Sequence, residues 1–365
     1  MILLIFILCF GFLIMAHEFG HFIVAKKNGV KVEEFGIGFP PKLFGKKIGE
    51  TVYSINAIPI GGFVRIFGEE GEASDNSRSF AAKSIWQKIS ILVAGVGANL
   101  LVAGLIFSFL FTIGFPLDVS NEVLPAGKKA EIVITSIEKN SPAQVAGLKV
   151  GDVVLKVRNA KGQEFIPERI TDFQKIVSEN EIPDLNLIIK RGGETLNLQA
   201  TPRVNHAQNV GPLGVSLMEL VYYRYPLFRA VGEGFKHVVI LSKEMVFGLI
   251  QAMKDWFVQK VTPQVTGPIG IASLSIQMAH IGWRYFFNFL AFLSTNLAIV
   301  NILPLPALDG GRVVLAIIEK LRKKSLPLKV VEAINGIGLL LLLLLSLLIA
   351  LKDVAHLHLL SFLIK

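Results

Sequence analysis

Four apolar runs, roughly residues 2–25, 89–115, 282–302 and 334–351, set the main constraint on how this 365-residue chain can fold. Each approaches the ~20 residues with which a helix crosses about 30 Å of hydrocarbon. The last run contains an unbroken leucine stretch from Leu339 to Leu345. Backbone surrounded by hydrocarbon has to satisfy its own hydrogen bonds, so runs of this kind fold as helices. Composition agrees, since 52% hydrophobic residues and a mean hydropathy of +0.57 exceed what a soluble domain carries. The first run is expected to be a retained helix rather than a cleaved leader. No basic residue precedes it and no small-residue cleavage pattern follows it.

Charge gives the orientation. The formal net charge is +9, but the lysines and arginines gather beside the apolar runs rather than on one polar face, which argues against nucleic-acid binding. Ten of them fall between Lys26 and Lys88, and Arg312, Lys320, Arg322, Lys323, Lys324 and Lys329 follow the third run. Basic loops stay on the cytoplasmic side. Both loops are therefore expected there, and residues 116–281 and both termini on the other side. The single cysteine, Cys9, excludes an internal disulfide. It stands about 12 Å along a helix from His17, too far to share a metal shell.

Inside the first run lies His17-Glu18-Phe19-Gly20-His21. Residues four apart share a helix face, so both imidazoles can reach one zinc ion, while Glu18 is placed to act as general base on the attacking water. Ionisable side chains in a membrane helix are costly and are functional by default. Catalytic zinc usually takes three protein ligands, and the best third candidate is Asp309, between Pro304-Leu305-Pro306-Ala307-Leu308 and Gly310-Gly311. The expected topology brings Asp309 to the depth of His17 and His21. A competing role for Asp309 is the N-cap of a helix over residues 310–324.

Between the second and third runs, short β-branched stretches at 132–137, 153–157, 185–189 and 195–200 are separated by turn residues, which predicts a small β-rich module. Its segment Ser141-Pro142-Ala143 … Ala146-Gly147-Leu148 … Gly151-Asp152-Val153-Val154 resembles a PDZ domain, a family that takes up an extended chain end as an added strand. Residues 226–257 predict a long helix. Its charges are too many for a lipid-exposed span, so it is expected to lie amphipathically on the outer surface, with a fifth span as the alternative. Residues 53–67 are apolar for a loop and carry Gly61-Gly62 centrally. They predict a hairpin turning at those glycines and dipping into the membrane beside the site.

Taken together, HEFGH at 17–21, FGIGF at 35–39, IPIGGFVRI at 58–66, SPAQVAGLKVGD, GPIGIA at 267–272 and TNLAIVNILPLPALDGGR at 295–312 run in order through nearly the whole chain. The chain resembles the bacterial site-2 proteases of the regulator-of-sigma-E type. That resemblance implies zinc bound by His17, His21 and Asp309, Glu18 as general base, and Asn301 as a substrate contact. Pro304, Pro306, Gly61 and Gly62 belong to the same substrate-binding stretches. It also implies a membrane-reentrant β-loop. Two departures are visible: one PDZ-like module where some relatives have two, and Arg312 where several have histidine.

The expected architecture is a polytopic α-helical membrane protein of about four transmembrane helices, with a membrane-associated β-hairpin and an inserted PDZ-like α+β domain. Its divisions are 1–115, 116–218, 219–281 and 282–365. The expected activity is intramembrane zinc endopeptidase. Its substrates are expected to be single-pass membrane proteins pre-cut by another protease, with a peptide or chain end at the PDZ-like domain and no nucleic acid. A membrane-anchored peptidase with its site in water would place HExxH in a polar segment. A non-enzymatic PDZ scaffold would have no use for the three ligands and the base.

Overall fold

The computed structural model describes residues 2–69, 75–120, 124, 129–159, 162–179, 185–203, 211–260, 266–324 and 326–356. The first apolar run forms α1 (Ile2–Lys27). It stops where the Asn28 side-chain amide donates to the Val24 carbonyl at 2.9 Å. Two long antiparallel strands follow, β1 (Val32–Ile48) and β2 (Thr51–Ile66).

The hairpin expected over 53–67 is corrected here. Gly62 pairs with Ile37 in the interior of β2, and the turn falls between Ile48 and Thr51, where Gly49 adopts φ +63°. The lysines of KLFGKKI hid the other half of the pairing. Both strands also fold back on themselves: Glu34–Ile37 has Gly62–Arg65 along one side and Val52–Ile55 along the other, while Phe44–Ile48 pairs with Thr51–Ile55. Backbone therefore runs in four rows, with Gly62–Arg65 outermost. The far end exposes Leu43, Phe44 and Ile48.

Helix α2 (Ile85–Ile113) carries the second apolar run. It begins with reciprocal capping: Ser84 N–H donates to Gln87 Oε1 at 3.1 Å, and Gln87 N–H to Ser84 Oγ at 3.4 Å.

Residues 110–230 with 277–286 form one compact unit, and the rest of the chain another. The first of these holds β3 (Phe115–Asp118), β4 (Glu131–Ile137), α3 (Pro142–Val145), β5 (Val153–Arg158), β6 (Glu164–Phe165), α4 (Ile170–Glu179), β7 (Leu185–Arg191), β8 (Glu194–Ala200) and β9 (Val215–Tyr223). The strands lie in the order β3-β9-β4-β5-β7-β8, with β6 on β5. The four expected strands are β4, β5, β7 and β8. β9 runs across residue 218, where a division was expected. Phe173 and Val177 of α4 join Ile132, Leu187 and Ile189 in a core that is almost fully buried. The buried Asp152 carboxylate is held by two donors of Arg191 at 2.6 and 2.7 Å.

The chain continues through α5 (Leu227–Lys254), α6 (Pro268–Ile281), α7 (Trp283–Ile302), α8 (Asp309–Arg322) and α9 (Leu328–His356). Four helical segments are long and apolar enough to cross a membrane: α1, α2, α7 and Leu328–Val354 of α9. The first turns of α5 meet α2, where Ser108 Oγ donates to the Val231 carbonyl at 3.4 Å. On α9 the Asp353 carboxylate accepts from Gly270 N–H at 2.8 Å and so caps the start of α6.

Candidate active site

The HExxH spacing on α1 turns His17 and His21 to one side, where both are buried, and Asp309 meets them from the first turn of α8. His17 Nε2 and His21 Nε2 are 3.1 Å apart. Asp309 Oδ2 lies 3.1 Å from the first and 3.3 Å from the second. Three acceptor atoms at this spacing repel one another unless a cation lies between them. Ligands about 2.1 Å from a tetrahedral zinc ion stand roughly 3.4 Å apart, so the triangle has the size zinc needs. Asp309 Oδ2 is moreover buried without any hydrogen-bond donor, an arrangement that fits a bound cation.

The surroundings fix how the imidazoles present themselves. His21 Nδ1 lies 2.8 Å from the Ile91 carbonyl oxygen, so Nδ1 carries the proton and Nε2 offers its lone pair. Near His17 Nδ1, at 3.5 Å, stands the amide of Asn99 on α2, whose own Oδ1 is buried and unpartnered. Turning that amide end for end would let Oδ1 accept the His17 Nδ1 proton and satisfy both groups. The two helices can approach this closely because Gly95 lacks a side chain: a Cβ there would collide with both imidazoles. Sequence reading missed Asn99 and Gly95. The available signal was a buried-type polar residue in mid-span, one turn after a glycine.

Glu18 faces the opposite wall, and its Oε2 accepts from Val64 N–H at 3.1 Å on the outer row of β2. The cavity, about 330 Å³, is lined by His17, Glu18, His21, Val64, Asn301 and Asp309 among others. Asn301 Nδ2 comes within 3.5 Å of His17 Nε2.

Pro304, Pro306, Gly61 and Gly62 do not line the cavity. Gly61 and Gly62 bring β2 against α1 and β1, since added Cβ atoms would meet Ile14 and the Gly36 carbonyl. Pro306 packs at Gly338 of α9, and Pro304 is exposed. The prolines end α7, and Gly310 and Gly311 let the start of α8 press on the Ile302 and Leu305 carbonyls. The alternative role for Asp309 does not hold: Leu308 is the N-cap of α8, without a side-chain cap bond, and Asp309 is the first helical residue.

An HExxH helix among apolar spans, with a carboxylate closing the triangle, is the arrangement of a membrane metalloprotease. Comparison with known proteins makes this specific. The sequence pattern of peptidase family M50 matches residues 5–345, and the chain belongs to that family. A Clostridium perfringens protein named as a candidate zinc metalloprotease is 37% identical over 349 residues, covering 95% of this chain and 97% of the relative. The regulator of sigma-W protease RasP of Bacillus subtilis is 28% identical over 97% of this chain and 98% of its own length. The chloroplastic membrane metalloprotease ARASP of Arabidopsis thaliana is 30% identical over 93% of this chain and 76% of its own. The chain is a zinc metalloprotease of the site-2 type with several membrane-crossing helices.

Proposed function

We propose that the protein is an intramembrane endopeptidase that cuts single-pass membrane proteins, such as an anti-sigma factor or a signal-peptide remnant, once another protease has shortened them. The observation that carries this reading is the meeting of His17, His21 and Asp309 with Glu18 in one cavity walled by apolar helices. In this reading His17, His21 and Asp309 hold zinc, which when bound supplies Lewis-acid polarisation of the reacting oxygens. Glu18 takes a proton from the attacking water and passes it to the leaving amine. Val64 N–H keeps the carboxylate turned toward the cavity, and Asn301 Nδ2 is available to the scissile carbonyl. Gly61 and Gly62 hold β2 against α1 and β1, and Pro306 packs at Gly338, so these residues support the site from outside the cavity.

A substrate helix hides its carbonyls in its own hydrogen bonds, so it must unwind before attack. The outer row of β2, which reaches the cavity at Val64, is read as the support for this step, since a strand edge can pair with extended chain. The β-rich unit is read as PDZ-like. A cleft of about 190 Å³ lies between α4 and the start of β9, with Phe173, Val177, Leu213 and Val215 on its walls. The Val215–Met218 stretch of β9 pairs only with β4 among the described residues, so its other edge could take a peptide or chain end. The apolar helices and the likeness to RasP support a bacterial cell-membrane location, and loop charge supports this unit outside the cytoplasm with the zinc site near the cytoplasmic face.

The test uses purified protein in lipid vesicles and two substrates sharing one cleavage sequence. One is a trimmed single-span membrane protein and the other a soluble peptide. Cleavage of the spanning substrate alone is expected. Equal or better cleavage of the soluble peptide would assign the activity to an anchored peptidase with its site in water.

A further inference from the structure

A second cavity, also about 330 Å³, lies where the start of α2 meets the end of α8, and Lys88, Lys320, Lys323 and Lys324 line it together with Ile85 and Glu319. Both oxygens of Glu319 are engaged: Lys88 Nζ lies 3.2 Å from Oε2, and Leu326 N–H donates to Oε1 at 3.0 Å. Lys320, Lys323 and Lys324 enter no ion pair among the described residues. Four ammonium groups thus face one carboxylate that is already occupied. Lys323 adopts a left-handed conformation (φ 53°) that ends α8, so Lys323 and Lys324 leave the helix axis beside Lys320.

The position narrows the ligand. α2 is long and apolar enough to cross a membrane, so its first turn lies at a membrane–water boundary. Trp86 in that turn is 70% exposed, as interfacial tryptophans are, and Lys320 Nζ stands 4.7 Å from its ring centroid. Leu321, 78% exposed, adds apolar surface next to the lysines. Unpaired cations beside exposed apolar surface at the boundary suit a phosphate carrying acyl chains. Ser84 and Gln87 cap the N-terminus of α2 reciprocally, and the site proposed here is made by the lysine side chains alone.

We propose that this cavity binds the headgroup phosphate of an anionic phospholipid. A zwitterionic headgroup brings its own ammonium and gains less from the lysines. Basic pockets between membrane helices take anionic headgroups in the same way. α8 then has the candidate metal ligand Asp309 at one end and the headgroup at the other, roughly 20 Å away along 14 residues.

Native mass spectrometry of the full-length protein in detergent, titrated with phosphatidylglycerol or phosphatidylcholine, tests the proposal. Wild type should retain phosphatidylglycerol preferentially. Each surface lysine is worth roughly fivefold in affinity for anionic lipid, so Lys320→Gln/Lys323→Gln/Lys324→Gln should weaken retention roughly 100-fold. The control Lys139→Gln/Lys149→Gln/Lys190→Gln, which removes the same charge elsewhere, should leave it unchanged. Undiminished retention by the cavity variant, equal losses in both variants, or displacement of the lipid by inorganic phosphate would each overturn it. Should the triple variant not fold, Lys324→Gln alone, at an exposed position, should still show a roughly fivefold loss, and no loss there would count against the site.

Discussion

Val64 donates its backbone N–H to the Glu18 carboxylate at 3.1 Å, which joins the HExxH helix to the outer row of the neighbouring sheet. The general-base candidate is therefore oriented by main chain, while His17 and His21 are set from the other side by Asn99 and the Ile91 carbonyl. The two halves of the site rest on different elements and can be perturbed separately.

Glu18→Gln should abolish proteolysis and leave zinc in place. The side-chain oxygen that accepts from Val64 is kept and neither histidine is touched, but the amide cannot take a proton. Loss of a general base costs about 10²–10⁴ in rate. Cleavage of a reconstituted spanning substrate, with metal analysis of the same sample, is the measurement. Near-normal cleavage with zinc bound would remove Glu18 from that role.

Asp309→Ala should lower the metal content below one zinc per chain, because it removes one corner of the triangle. The test is zinc per chain in protein purified with and without a competing chelator. Full occupancy in the variant would exclude Asp309 as a ligand.

Gly95→Ala introduces a Cβ into the space that the two imidazoles fill. Either the rings turn away or α2 shifts, at a cost of about 1–3 kcal/mol. Zinc content and activity should fall together with thermal stability. A variant with wild-type zinc and wild-type melting would show that α1 and α2 are not held this closely.

Orientation can be read by labelling. A cysteine replacing the exposed Lys46 should react only from the cytoplasmic side, and one replacing Val145, which is 85% exposed, only from the opposite side. The reverse pattern would invert the topology argued from loop charge.

Much of this molecule is legible in its sequence. The spans are long apolar runs, and a run of that length has few other ways to fold. His17 and His21 are read from spacing on a helix, and Asp309 from a motif that breaks one helix and starts another. The true partner of residues 51–66 was not legible, because the lysines at 42, 46 and 47 interrupt the alternation that marks a strand. Nor was the contact between Glu18 and Val64, or that between Asn99 and His17. Each depends on which face one element turns to another distant in the chain, and local pattern carries no such information.

In the proposed reading, substrate chain pairs with the backbone of the outer row of β2 beside Val64 rather than entering side-chain pockets. Whatever pairs there is recognised by being extended, and only weakly by its sequence. In this reading selectivity becomes a matter of conformational free energy: a membrane helix is a substrate to the extent that a few residues near the boundary can leave the helix. Glycine or proline at that depth lowers the cost by about 1 to 3 kcal/mol per residue, while an unbroken leucine helix pays it in full. A target and a non-target could then share every residue next to the scissile bond and differ only in how readily the flanking turn melts.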